Sequence, residues 1–138
     1  MRLNIITLVL ALSAIGVVLV RNGWLHLSTP GQIVGLAIAV PALVLFVVAR
    51  LQLGRAFSVQ AKASVLVTEG LYSRIRNPIY VFGGLLIAGA LIYVGNPWLF
   101  LIFVVLIPMQ LLRVRKEEQV LEAKFGEAYR EYKRKTWF

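Results

Sequence analysis

The stretch VLVTEGLYSRIRNPIY, from Val65 to Tyr80, is polar and basic and stands between long apolar runs. A second polar stretch, RVRKEEQVLEAKFGEAYREYKRK, extends from Arg113 to Lys135. Charge is costly near lipid, so polar residues clustered at the ends of apolar helices are candidates for a site. Outward from Val65–Tyr80, four runs are of membrane grade: Leu3–Val20, Ile33–Val48, Ile79–Val94 and Trp98–Leu112. Crossing a bilayer takes about 20 apolar residues; the last two runs are short, and their flanks lengthen them. Asn96-Pro97 offers a helix start after Gly95, with Asn as cap and Pro at the first helical position. The expected fold is an all-α integral membrane protein. It has about four transmembrane helices plus a cytoplasmic C-terminal amphipathic helix.

Composition narrows the chemistry. The chain of 138 residues is 59% hydrophobic, and its mean hydropathy is +0.80, far above a soluble domain. It has no cysteine, which excludes disulfides, zinc-thiolate sites and a cysteine nucleophile. One histidine, His26, and no aspartate leave neither a His-rich metal site nor a Ser-His-Asp triad. The formal net charge is +9. Because the basic residues flank apolar runs, they point to anionic lipid headgroups rather than to nucleic acid.

Orientation follows the lysines and arginines. With the N-terminus inside, Arg2, Arg50, Arg55, Lys62, Arg74, Arg76 and the basic residues from Arg113 to Lys135 are cytoplasmic, and only Arg21 is outside. Both polar stretches then share the cytoplasmic face, as do all six glutamates. The first run exceeds a usual signal core and lacks a clear cleavage site, so it is expected to be retained. The localisation expected is a multi-pass protein of the cell inner membrane with both termini cytoplasmic. No charged residue lies within any of the four runs. That argues against a small proton-coupled exporter, which needs a titratable group in the membrane.

Pro41 and Pro108 interrupt the second and fourth runs, read as tolerated kinks or, at Pro108, as a loosening that opens a cavity. Gly31-x-x-x-Gly35 and the glycines at 83, 84 and 89 suit close helix packing. Arg113, Glu117, Leu121, Phe125, Tyr129 and Tyr132 recur at spacings of three and four, which predicts a single helix with these residues on one face. By itself such a basic helix also suits a lipid-surface anchor.

The ordered set Leu66-Val67-Thr68-x-Gly70-x-Tyr72, Arg76-Asn77-Pro78-x-Tyr80, Arg113-x-x-x-Glu117-Glu118-x-x-Leu121 and Phe125-Gly126-x-x-Tyr129-x-x-Tyr132 resembles the isoprenylcysteine carboxyl methyltransferase and phospholipid methyltransferase superfamily of integral membrane enzymes. The resemblance begins at Leu53 or Gly54. It divides the single domain into two N-terminal helices (residues 1–53) and a methyltransferase core (54–138). It implies S-adenosyl-L-methionine as methyl donor, S-adenosyl-L-homocysteine as product and a lipophilic or prenylated acceptor. It further implies that a strand-like stretch of Ser64, Val65, Leu66 and Val67 lines the adenosine side. Tyr72 and the turn Asn77, Pro78, Ile79 and Tyr80 would hold the cofactor, with Glu117 binding it from the C-terminal helix. Arg113 would face the acceptor. The family usually has histidine where this chain has Asn77, and asparagine hydrogen-bonds without carrying a proton near neutral pH. Members often continue through a proline-containing tail. This chain has Lys135-Thr136-Trp137-Phe138 there, which leaves open the substrate contacts of such a tail.

Physical chemistry is compatible with that resemblance. Methyl transfer from a sulfonium needs positioning more than a metal or covalent nucleophile. A carboxylate such as Glu117 binds ribose hydroxyls or an amino group, and Tyr72 and Tyr80 offer aromatic faces to adenine or sulfonium. No glycine-rich turn of the soluble dinucleotide-binding type is present. Each residue also has a plainer role. Arg113 and Glu117 are an i,i+4 pair that can bridge each other. Arg74 and Arg76 suit lipid phosphates, Tyr72 and Tyr80 suit interfacial anchoring, and Asn77-Pro78 suits a helix start. A carboxylate acceptor is already nucleophilic and pairs with arginine, whereas an ethanolamine phospholipid must first lose a proton. The carboxylate is the favoured expectation. The alternatives are phospholipid N-methylation and a non-catalytic membrane scaffold of the same fold.

Overall fold

A computed structural model of the chain describes residues 27–57 and 66–138, together with Gly16. Apart from Gly16, the run Leu3–Val20 lies outside the described residues, as do His26, Ser64 and Val65. Among the described residues the protein is helical, with four α-helices and no strand. Helix α1 is Pro30–Phe57, α2 is Pro78–Val94, α3 is Ile102–Phe125 and α4 is Glu127–Lys135. Short 3-10 turns occupy Gly70–Ser73 and Pro97–Leu101. Pro30–Leu53 and Pro97–Phe125 are each long and apolar enough to cross a bilayer. Helix α2 is apolar but has 17 residues, a length of about 25 Å at 1.5 Å per residue.

The helix ends follow local chemistry. At the start of α1, Gln32 Oε1 accepts from the N–H groups of Ser28 (2.8 Å) and Thr29 (3.1 Å). Thr29 Oγ1 in turn accepts from Gln32 N–H at 3.4 Å. This is a reciprocal capping box, with Pro30 at the first helical position. Helix α2 ends at Gly95, whose φ of +73° suits a residue without Cβ. Asn96 then caps the next turn as expected: its side chain accepts from Trp98 N–H at 3.1 Å, and Pro97 follows. Helix α3 runs unbroken through Pro108.

One expectation is corrected. Arg113 to Lys135 is not a single helix. It breaks at Gly126, which has φ +54° and donates its N–H to Glu122 O at 2.9 Å. Positive φ is cheap for glycine, so the chain turns there. Arg113 and Glu117 ride on α3, continuous with the fourth apolar run, while Tyr129 and Tyr132 belong to α4. The strand-like expectation also fails where it can be seen, since Leu66 and Val67 are irregular and half-buried.

The chain divides into two compact units. One contains α1 up to Leu45 and the segment Val81–Ile102. Its core is Ala42 and Leu86, with Ala39 and Leu43 packed against them. Gly35 lies against Gly89 and Tyr93 so closely that a Cβ would stand 2.5 Å from Tyr93 N and 2.6 Å from Gly89 O. The small-residue expectation holds there. At Gly84 no described residue comes within 4 Å of an added Cβ.

The second unit contains Phe46–Tyr80 and Phe103–Phe138. It buries Phe46, Ala49, Tyr72, Ile79, Val114, Tyr129 and Tyr132. Two buried tyrosines tie it together: Tyr132 OH donates to Tyr72 O at 2.7 Å, and Tyr72 OH donates to Ala49 O at 3.3 Å. Burial pushes the Tyr132 phenol up to about 12, against the opposing charge of Arg76. Removing the hydroxyl in Tyr132→Phe is expected to destabilise the protein by about 1–3 kcal/mol, because a buried carbonyl loses its donor. The wild type should lose stability as pH rises from about 10, where the unfolded phenol ionises, to about 12. The variant should lack that component. Melting curves of both proteins between pH 7 and 11 check this, and identical curves would show that the bond carries no net stability.

Candidate functional site

All the charged and aromatic residues expected at the site that the structure describes lie in the second unit. Their centre is Glu117, on the part of α3 that emerges from the apolar run. Its Oε1 accepts from Tyr80 OH at 2.8 Å and from Arg113 Nε at 3.0 Å. The Arg113 guanidinium carbon lies 5.9 Å from the centroid of the Tyr80 ring, within cation–π range. Arg113 and Glu117 therefore do form the i,i+4 bridge that spacing alone suggests. Tyr80, from the first turn of α2, joins them, which spacing alone does not reveal. Both recorded bonds fall on one carboxylate oxygen, leaving Oε2 uncommitted among the described residues. The two side chains are 19% (Arg113) and 32% (Glu117) exposed, so the cluster is sheltered and still reachable.

Asn77 precedes α2. Its carbonyl accepts from Tyr80 N–H at 3.1 Å, which places it at the helix cap, one turn from the Tyr80 hydroxyl-bearing ring. Its Nδ2 is buried and has no hydrogen-bond partner among the described residues. A buried donor left unpaired is unfavourable by about 1–3 kcal/mol and is well matched to an acceptor brought by a ligand. Pro78 and Ile79 are buried and anchor the turn by packing. Leu66 and Val67 are not joined to the Glu117 cluster by any hydrogen bond.

Tyr72 is placed differently from Tyr80. It is buried, and its hydroxyl is committed to Ala49 O. Burial first, then Tyr132 and Glu117, push its phenol well above the ordinary range, with Arg50 opposing. Tyr72 therefore feels the charge of Glu117 without bonding to it, and its visible work is to join α1 to the Gly70–Ser73 turn.

Two features escape the sequence reading. Gln52, unmarked by any motif, turns its Oε1 to Leu71 N–H at 3.0 Å and packs beneath Gly70, whose φ is +62°. Glu118, next to Glu117, points to other partners. Its Oε1 lies 3.3 Å from Arg76 Nε, an ion pair without hydrogen-bond alignment, and its Oε2 accepts from Lys133 Nζ at 3.0 Å. Adjacent helical residues diverge by about 100°, so the Glu117-Glu118 doublet hinted that one acid would face away from the site. Its partner Lys133 was not predictable.

Comparison with known proteins adds the family. The model of the phospholipid methyltransferase family matches residues 30–128, from the start of α1 into α4. It begins upstream of Leu53, so α1 belongs to the matched region as well. No curated protein and no solved structure matches significantly. The match covers well over half of the 138 residues and includes the Asn77 turn, Tyr80, Arg113 and Glu117. The chain therefore belongs to the phospholipid methyltransferase family, within the superfamily of membrane methyltransferases that also holds the isoprenylcysteine carboxyl methyltransferases.

Proposed function

We propose that this protein is a membrane-embedded methyltransferase that uses S-adenosyl-L-methionine at the cytoplasmic face and methylates a lipophilic acceptor carrying a carboxylate, as on a prenylated cysteine. The observation that carries this reading is the Glu117 cluster. It offers one carboxylate oxygen already held by Tyr80 and Arg113 and a second left for a ligand. Glu117 Oε2 suits the ribose hydroxyls or amino group of the cofactor, and the buried Asn77 Nδ2 suits one of its acceptors. When bound, S-adenosyl-L-methionine supplies an activated methyl group on a sulfonium. The residues then have to orient and shelter the reactants, which is where the rate gain of such a transfer originates. Asn77, Pro78, Ile79 and Tyr80 provide the turn that grips the cofactor, with Tyr72 behind it and Ser64 to Val67 on the adenosine side.

Arg113 is the acceptor-facing residue. Nε is engaged with Glu117, which leaves the guanidinium NH2 groups to pair with an anion. Both nearby acids are held by cations, Glu117 by Arg113 and Glu118 by Arg76 and Lys133. Neither is set up as a general base, which favours an acceptor that is already nucleophilic. A second reading, N-methylation of an ethanolamine phospholipid, is favoured by the description of the matching family. The apolar, largely exposed face of Trp98, Leu101, Val104, Val105 and Leu112 supports entry of the acceptor from the bilayer.

Titration of S-adenosyl-L-homocysteine into the detergent-solubilised protein, followed by calorimetry, tests the cofactor reading. Micromolar binding is expected, and no binding at any practical concentration would overturn it. For the acceptor, wild type and Arg113→Ala are assayed with a prenylated cysteine and with phosphatidylethanolamine. Transfer to the carboxylate should fall by roughly 10- to 100-fold in the variant, the scale of a lost charge-assisted pair. Transfer at the wild-type rate would remove Arg113 from the acceptor site.

A further inference from the structure

The segment after α4 does not trail into solvent. It returns to the residues just before α2. Trp137 N–H donates to Arg74 O at 3.0 Å, Arg76 N–H donates to Trp137 O at 3.1 Å, and Asn77 N–H donates to Phe138 O at 2.9 Å. Ile75 and Trp137 form an isolated parallel bridge. The strap is set at its root by Thr136, buried, whose Oγ1 donates to Tyr132 O at 2.8 Å. The side chain of Arg76 closes the arrangement from the other side: Nη1 donates to Lys133 O at 3.2 Å, and Glu118 pairs with both Arg76 and Lys133.

These contacts converge on Asn77. Its N–H is held by Phe138, and the residue after it, Pro78, is fully buried and has a fixed φ. Its side-chain amide is thus presented from a backbone restrained on both sides, while its Nδ2 has no partner among the described residues. Trp137 itself is 59% exposed, so what it contributes is its backbone rather than side-chain packing.

We propose that the Trp137–Phe138 strap is a positioning element for the cofactor site, acting through Asn77; this rests on the cofactor reading above. Among the described residues no hydrogen bond joins the strap to Glu117, Tyr80 or Arg113. The strap sets the orientation of the Asn77 amide before the ligand arrives, and so lowers the ordering cost of binding.

Trp137→Pro tests this, because it deletes the N–H that reaches Arg74 O. Thr136 has φ −122° and ψ 150°, an extended conformation that tolerates a following proline. Binding of S-adenosyl-L-homocysteine to the full-length protein should weaken by roughly five- to tenfold, the scale of one net hydrogen bond. KM for S-adenosyl-L-methionine should rise in step while kcat is unchanged. Trp137→Phe keeps the N–H and should keep wild-type affinity. Removal of residues 137 and 138 should reproduce the proline effect if the proline variant does not fold. In native-state hydrogen exchange the Arg76 and Asn77 amides should be protected in the wild type and exposed in the truncated chain. Wild-type affinity in both the proline variant and the truncated chain would overturn the strap. So would an equal loss in Trp137→Phe, which would assign the effect to the indole. A wild type that does not bind S-adenosyl-L-homocysteine at all would instead overturn the cofactor reading, and the strap's role with it.

Discussion

Glu117→Ala is expected to weaken S-adenosyl-L-homocysteine binding by roughly 10- to 100-fold or more and to abolish measurable methyl transfer. A hydrogen bond to a charged group contributes about 1.5–3 kcal/mol, and every 1.4 kcal/mol is tenfold in affinity. The alanine variant also strips the acceptor from Tyr80 OH and the counter-charge from Arg113, which are bound to the same oxygen at 2.8 and 3.0 Å. Arg113 would then sit as a partly buried cation without its partner, free to swing from the acceptor side. Glu117→Gln separates the two effects. It keeps a carbonyl oxygen for Tyr80 and removes the charge, so it should fall between wild type and alanine. Calorimetry on the three proteins checks the order. Wild-type affinity in the alanine variant would remove Glu117 from the cofactor site.

Gly35→Ala should have the largest effect on stability. In a helix interior, replacing glycine by alanine gains up to about 1 kcal/mol from propensity alone. Here the added Cβ would stand 2.5 Å from Tyr93 N and 2.6 Å from Gly89 O. Both are backbone atoms, which cannot rotate away as a side chain would, so the helices have to separate. Overpacking of this kind costs about 1–3 kcal/mol and occasionally more, and the backbone contact places Gly35 at the upper end. The steric term wins, and a large fall in melting temperature is expected. Gly84→Ala supplies the contrast. Among the described residues nothing lies within 4 Å of its new Cβ, so the propensity gain remains and the melting temperature should hold or rise. If Gly35→Ala melts with the wild type, the close approach at Gly35 is wrong.

The amino-acid pattern carries much of this protein. Length and composition expose α1, α2 and α3, because each carries a long apolar run with no charge. Thr29-Pro30-Gly31-Gln32 and Asn96-Pro97 mark helix starts because capping is chemistry between near neighbours. The four- and three-residue spacing from Arg113 to Tyr132 was legible too, but it overran the break. A heptad-like count does not register that Gly126 can adopt φ +54° at little cost. The Arg113–Glu117 bridge was readable from its spacing, since both partners are on one helix four residues apart.

What the sequence by itself determined is therefore the local: helical class, apolar lengths, caps, the i,i+4 pair, and the ordered motif that marks the family. Tertiary structure alone decided which distant residues meet. Tyr80 reaches Glu117 across 37 positions. Arg76 and Lys133 share Glu118, and Trp137 and Phe138 return to Arg74–Asn77. It also decided that of the two motif tyrosines, Tyr80 faces the charged cluster while Tyr72 is turned into the core against Ala49. The physical reason is range. Backbone propensity and capping act within a few residues, whereas these contacts are selected by burial and by the need to satisfy buried polar groups. The polarity of the stretch from Val65 to Tyr80 marks it as a candidate site, and among its described residues the packing against α3, α4 and the strap determines which side chains meet Glu117 and Glu118.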